Sequence, residues 1–273
     1  MVYLSFPLSY RFILIRFRLT KLAFLILVTT LCLSNTLLAA ELKLAVASNF
    51  ANTAEALIDN FERRFSHTVS LSRGSSGKHY AQIKNGAPFD IFLSANKDFP
   101  QRLESEGIAV EGSRFTYAIG SLVLIAQPNI SLDYYDVALA RDNYDYLAIA
   151  NPKLSPYGYA AKEFLVNSHL WFGIQNKLVI GENINQAALF VKLGEAELGL
   201  LALSQINLLK RKYPEQTSKL NYLIIPKYLY TPIEQQAVVT KSSQASQEFM
   251  QYLASEEARA IILDHGYGLP HAQ

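Results

Sequence analysis

Thiol chemistry is nearly absent from this sequence of 273 residues: its single cysteine, Cys32, lies in an N-terminal apolar run. One cysteine forms no internal disulfide and no thiolate metal cage. Histidine is scarce as well. His67, His79, His169, His265 and His271 stand at no spacing that pairs one with a serine or cysteine nucleophile, and no H-E-x-x-H, G-x-S-x-G or P-loop pattern occurs. His79, three positions past Ser76, reads as a surface or capped residue, and Asp90 and Asp98 form no acid–base constellation. A ferric site needs clustered phenolates or His and carboxylate ligands. Tyr134, Tyr135 and Tyr144 suggest one only by composition, since tyrosine is used throughout the chain. No internal repeat or low-complexity segment is present. The expectation is a protein that is not an enzyme.

The first forty residues carry Arg11, Arg16, Arg18 and Lys21 and no acidic residue, then the apolar run from Leu22 to Leu33, then Leu37-Leu38-Ala39-Ala40. A basic stretch, a short apolar core and small residues make a secretory signal peptide over residues 1–40, cleaved at Ala39 or Ala40. The core is shorter than the roughly 20 residues of a spanning helix. Bulky Leu31 before Cys32 argues against lipid attachment there. Without this segment, 21 basic residues face 23 acidic ones, so the net charge of +2 becomes −2. No basic nucleic-acid footprint remains. The mature chain keeps 233 residues, enough for one large or two small domains.

From Glu41 onward, strands and helices alternate, which is the signature of an α/β architecture with parallel sheets. Strands are expected at 42–47, 69–72, 91–94, 147–150, 178–180, 198–202 and 233–240, with a long extended segment at 117–127. Helices are expected at 51–65, 78–85, 160–168 and 185–193, and a single closing helix at 244–264. Four turns carry small, Gly-rich or hydroxyl residues, at 48–49, 73–77, 156–158 and 182–185. Each precedes a helix, whose first N–H groups are unpaired and carry partial positive charge, so each is a helix cap or part of an anion site.

The segment Gly86-Ala87-Pro88-Phe89-Asp90-Ile91-Phe92-Leu93-Ser94-Ala95 resembles the G-A-P-x-D-x-F-x-S-A pattern of the molybdate-binding subunits of bacterial ABC transporters. Ala45-Val46-Ala47-Ser48, Ser75-Ser76, Ser121-Leu122-Val123-Leu124, Asn151-Pro152, Pro156-Tyr157-Gly158-Tyr159-Ala160-Ala161-Lys162-Glu163 and Glu195-Ala196-Glu197-Leu198-Gly199 match in the same order. The resemblance covers the whole mature chain. It implies a two-lobed periplasmic binding protein of type II, each lobe a mostly parallel sheet flanked by helices. Lobe 1 would hold residues 41–119 and 236–273, and lobe 2 residues 120–235. Tyr117–Ser121 and Pro232–Gln236 would form the hinge. It further implies a monomer in the periplasm with no cofactor and no nucleic acid, delivering molybdate or tungstate to the membrane permease of an ABC importer. Sulfate or another tetrahedral oxyanion is the alternative ligand.

Carried over residue by residue, the ligand contacts fall on Ser48 and Ser76, through hydroxyl and N–H, and on Tyr157 and Ile184, through N–H alone. Molybdenum would be held only as its oxyanion, with no direct metal ligand. The chemistry is consistent with this. Molybdate at neutral pH is a dianion whose four oxygens only accept hydrogen bonds, so an acceptor facing it would cost about 1–3 kcal/mol. A phosphate site needs a carboxylate for the proton phosphate keeps; of the turns only Glu182 supplies one, and it need not face the cleft. Arg73 and Lys78 either assist electrostatically or are solvated flanking charges. The chain departs from the family at Ala202, where many members place a tyrosine whose hydroxyl reaches the anion. Asn49 is then either the replacement donor, through its side-chain amide, or a cap of the first helix.

Overall fold

A computed structural model describes residues 41–141, 143–217 and 221–270. The expected signal peptide lies outside the described residues. The elements run β1 (Glu41–Ala47), α1 (Ala51–Arg64), β2 (Thr68–Gly74), α2 (Ser76–Lys84), β3 (Ile91–Ser94), α3 (Asp98–Ser105), β4 (Phe115–Gly120) and β5 (Leu122–Ala126). Then follow α4 (Tyr135–Ala140), β6 (Leu147–Ala150), α5 (Pro156–Asn167), β7 (Leu178–Gly181), α6 (Ile184–Leu193), β8 (Leu198–Ala202), α7 (Leu203–Lys212) and α8 (Pro214–Thr217). The chain closes with β9 (Asn221–Ile224), β10 (Ile233–Val239), α9 (Gln244–Leu253) and α10 (Glu256–Asp264).

The strands form two five-stranded sheets, ordered β2-β1-β3-β10-β4 and β7-β6-β8-β5-β9. Each is mostly parallel with one reversed strand: four strands run in one direction, and the fourth in the order, β10 in one sheet and β5 in the other, runs against both of its neighbours. The parallel strands follow from their sequences. β8 is the apolar run Leu-Gly-Leu-Leu-Ala, buried throughout, as a strand covered on both faces must be. Each sheet has its own flanking helices. In the first, Leu57, Ile58 and Phe61 of α1 pack on Leu42 and Leu44 with Phe249 and Tyr252 of α9. In the second, Phe164 and Leu165 of α5 pack with Ile149, Leu200 and Leu124.

The extended segment 117–127 divides at Ser121, so that β4 belongs to the first sheet and β5 to the second. That break is one crossing between the lobes; the passage from β9 to β10 is the other. The single closing helix is two helices, because Ser255 accepts the Ala258 N–H and starts a new one. The helix expected from Ala160 begins at Pro156, with Ser155 accepting the Gly158 N–H. Proline at a first helical position loses no hydrogen bond, so the Pro/Gly-rich loop is the first turn of α5. α2 likewise starts two residues early, at Ser76.

Candidate functional site

The four turns, at 48–49, 75–76, 155–157 and 183–184, meet between the two sheets. They sit at the carboxyl ends of β1, β2, β6 and β7, where open α/β sheets place their ligands. Between them lies a cavity of about 10 Å3 lined by Ser48, Asn49, Ser75, Ser76, Ser155, Pro156, Asn183 and Ile184, with Ala47 and Ala95. That volume is smaller than the roughly 300–1,000 Å3 of pockets that take drug-sized molecules. It leaves room for one small compact guest, on the order of a water or a single small ion. No lining residue carries a charged side chain.

Each turn presents a backbone N–H without a partner among the described residues: Asn49, Ser76, Tyr157 and Ile184. Three of these stand in the first turn of a helix, where the aligned peptide dipoles add positive potential. Local sequence explains why they stay free. In α6, Asn183 accepts the N–H groups of Asn185 and Gln186 and leaves Ile184 aside. In α5, Ser155 takes Gly158 and leaves Tyr157. Two hydroxyls add to the set. Ser76 Oγ accepts the Ala95 N–H at 3.0 Å, which leaves its own hydrogen to donate. Ser48 offers its hydroxyl only, because its N–H is held by Gly74 O at 2.8 Å. The expected Ser48 N–H contact is therefore unavailable.

Asn49 also departs from expectation. Its side-chain amide donates to Gln235 Oε1 at 2.9 Å and to Tyr267 Oη at 3.2 Å, so both amide hydrogens are spent inside the protein. It does not cap α1 either: that helix has Phe50 as its N-cap, without a side-chain bond. The side chain serves the lobe junction instead. Tyr267 donates to Asn49 O at 2.7 Å and lies 2.9 Å from Ser204 Oγ at the start of α7. Burial pushes the Tyr267 hydroxyl up to about 12, so it remains a donor. What Asn49 offers the cavity is its backbone N–H. Ala202 is buried at the end of β8 and is not among the cavity's lining residues.

The flanking charges are paired. Arg73 is bonded to Glu55. Lys78 meets Glu182 at 2.7 Å, joining α2 of the first lobe to the turn before α6 of the second. Beside them, Gly77 N–H donates to Leu154 O at 2.9 Å, also across the lobes. The Tyr157 ring is buried against Gly120 and Ile233, one residue from each crossing segment. Sequence reasoning missed Gln235, Tyr267 and Ser204, for which no local signal exists. It also missed Ser155, which the Ser-Pro pair before an apolar run could have revealed.

Other candidates do not assemble. Tyr144 is buried and donates to Leu139 O, while Tyr134 is exposed, both away from the cavity. Among the described residues no three His, Cys, Asp or Glu side chains gather to hold a metal ion, and no helix is long and apolar enough to cross a membrane.

Comparison with known proteins agrees with this geometry. Residues 42–268 match the family model described as bacterial extracellular solute-binding protein. The molybdate-binding protein ModA of Azotobacter vinelandii is 42% identical over 85% of this chain and 91% of its own length. That of Rhodobacter capsulatus is 38% identical over 84% of this chain and 88% of its own. The solved Azotobacter vinelandii periplasmic molybdate-binding protein superposes with a TM-score of 0.78 at 39% identity, covering 84% of this chain and all of that one. With two α/β lobes, a small polar cavity between them and relatives at this level of identity, the chain belongs to the bacterial extracellular solute-binding proteins, the family it shares with those molybdate-binding proteins.

Proposed function

We propose that the protein captures molybdate or tungstate in the cavity between its lobes and delivers it to the membrane permease of an ABC importer. One observation carries the reading: a cavity of ionic size is ringed by N–H and hydroxyl donors, with no carboxylate among its lining residues. A fully ionised tetrahedral anion is satisfied by donors alone, whereas protonated phosphate leaves a hydrogen facing donors, at a cost of about 1–3 kcal/mol. The ligand contacts are the hydroxyls of Ser48 and Ser76 and the N–H groups of Asn49, Ser76, Tyr157 and Ile184. The lobes are residues 41–119 with 236–273, and 120–235, closing about the two crossings. The protein works in the periplasm as a monomer, after removal of residues 1–40, without catalysis, cofactor or nucleic acid. The names of the relatives support the ligand, the permease partner and the compartment.

Titration calorimetry of the mature protein with molybdate, tungstate, sulfate and phosphate tests this. Molybdate at a thousand times its Kd adds about 4 kcal/mol of stability, which raises the melting temperature by roughly 8–16 °C for a chain of this size. Sulfate at equal concentration should give little shift. Equal responses to sulfate and molybdate would replace the reading by general oxyanion capture.

A further inference from the structure

His79, read from sequence as a surface or capped residue, is buried, with 1% of its area exposed. Its Nε2 lies 3.2 Å from Val46 O. A carbonyl only accepts, so this nitrogen carries the hydrogen. Nδ1 lies 3.1 Å from Gln82 Oε1, one turn further along α2; with the hydrogen on Nε2, Nδ1 is an acceptor, so the Gln82 amide turns its N–H2 toward it. The ring stands edge-on to Phe89 and Phe92, at centroid distances of 5.7 and 6.2 Å. Burial lowers its pKa below that of ordinary histidine, so at neutral pH the ring is uncharged. It also passes directly against the end of β2: a Cβ at Gly74 would stand 2.9 Å from Nε2.

One imidazole thus touches three pieces of backbone. Val46 is two residues before Ser48. Gly74 is the residue whose carbonyl holds the Ser48 N–H. α2 begins at Ser76, whose N–H and hydroxyl face the cavity. We propose that His79 is a positioning residue of the oxyanion site: it fixes the turns at 48–49 and 75–76 relative to one another, so that the first lobe's donors converge on one point. The inference rests on the oxyanion reading above. A ring serving only to fill volume needs no directional bond to the strand that leads into the site, and no glycine kept open beside that bond. Donors to a small ion must be held within about 0.5 Å of their working geometry, so slack between these turns falls directly on affinity.

The test compares His79→Leu, His79→Gln and Gly74→Ala with the parent by molybdate calorimetry and by melting without ligand. His79→Leu keeps the volume and removes the donor to Val46 O; it should weaken molybdate binding about tenfold, the scale of one donor–anion bond lost as the two turns slacken. Glutamine restores an N–H at the position of Nε2 and should return affinity to within about threefold of the parent. Gly74→Ala drives the ring off Val46 O and should behave like His79→Leu, although the histidine is still present. Parent-like affinity in His79→Leu, or failure of glutamine to restore it, overturns the inference. If His79→Leu does not fold, the other two variants decide: parent-like binding in Gly74→Ala overturns it. A parent that binds none of the tetrahedral anions removes the oxyanion reading, and this inference with it. A binding parent with unchanged variants removes the inference alone.

Discussion

The two lobes solve the same construction problem with the same strand order, yet treat their helix starts differently. Each places its candidate donors after the first two strands of a parallel trio: β1 and β2 in one, β6 and β7 in the other. In the second lobe both N-cap side chains are occupied, Ser155 by Gly158 and Asn183 by Asn185 and Gln186. In the first lobe neither is. Phe50 has no side-chain cap to offer, and Ser75 Oγ is buried without a partner among the described residues. Helix starts that cap themselves are stable whether or not an anion is present. Uncapped starts keep their donors for a ligand, at the expense of the empty state. The second lobe is therefore the preformed half of the cleft, and the first the half that an anion completes.

The largest effect that would break this comparison is expected at two glycines. A Cβ at Gly158 would stand 2.3 Å from Ala150 O, inside the second lobe. Gly158→Ala should lower the stability of the ligand-free protein by about 3 kcal/mol or more, the upper range for overpacking, as seen in denaturant melts. A Cβ at Gly77 would instead meet the Leu154 backbone of the other lobe at 3.0–3.4 Å. Gly77→Ala should leave ligand-free stability near the parent and weaken molybdate binding. Equal destabilisation by both would mean that the lobes are one rigid body.

Next in size is Ser76→Ala, which removes a proposed donor to the anion and the acceptor of the Ala95 N–H. Calorimetry should show a loss of about 1–3 kcal/mol in molybdate binding. The caps give a smaller and sharper contrast. Asn183→Ala should lower ligand-free stability by about 1 kcal/mol, whereas Ser75→Ala removes a hydroxyl that bonds to no described residue and should not lower it. A cap-sized loss at Ser75 would erase the distinction between the lobes. Smallest is the exposed Lys78–Glu182 pair. Lys78→Met should change molybdate affinity by about 1 kcal/mol or less, with the difference vanishing at high salt.

The strands of the parallel trios were legible from sequence, because β3, β6, β7 and β8 are short apolar runs, β1 becomes one after Lys43, and β2 alternates Val69 and Leu71 with polar residues. The donor turns were legible because each carries small, Gly-rich or hydroxyl residues before a helix. What escaped is non-local. Asn49 sits beside a cavity residue and carries a donor, yet its amide is taken by Gln235 and Tyr267, 186 and 218 positions away. The burial of His79 depends on Gly74, Val46 and two phenylalanines meeting around it, which its neighbours in sequence do not announce. α3 and α7 were missed because Asp98–Ser105 and Leu203–Lys212 follow their strands without a clear cap signal: neither N-cap side chain, Lys97 nor Ala202, is a typical capping residue. Residues 117–127 read as one extended segment with a hinge over Tyr117–Ser121, and the backbone passes from one sheet to the other at Ser121.

In each sheet the fourth strand arrives from the opposite lobe: β5 comes directly from β4, and β10 returns after β9. For the first sheet this sets a timetable. β10 stands in the interior, between β3 and β4, so residues 41–120 hold only two parts of a sheet until residues 233–239 exist to join them. A chain made from its N-terminus therefore cannot finish its first lobe early. The second lobe, continuous from β5 to β9, can fold as soon as it emerges, and the first must wait with its strand edges open. Contacts so distant in sequence also form slowly. Truncation before Ile233 should thus ruin the N-terminal lobe rather than merely shorten the protein at its far end, and the last seventh of the chain is where folding is concluded.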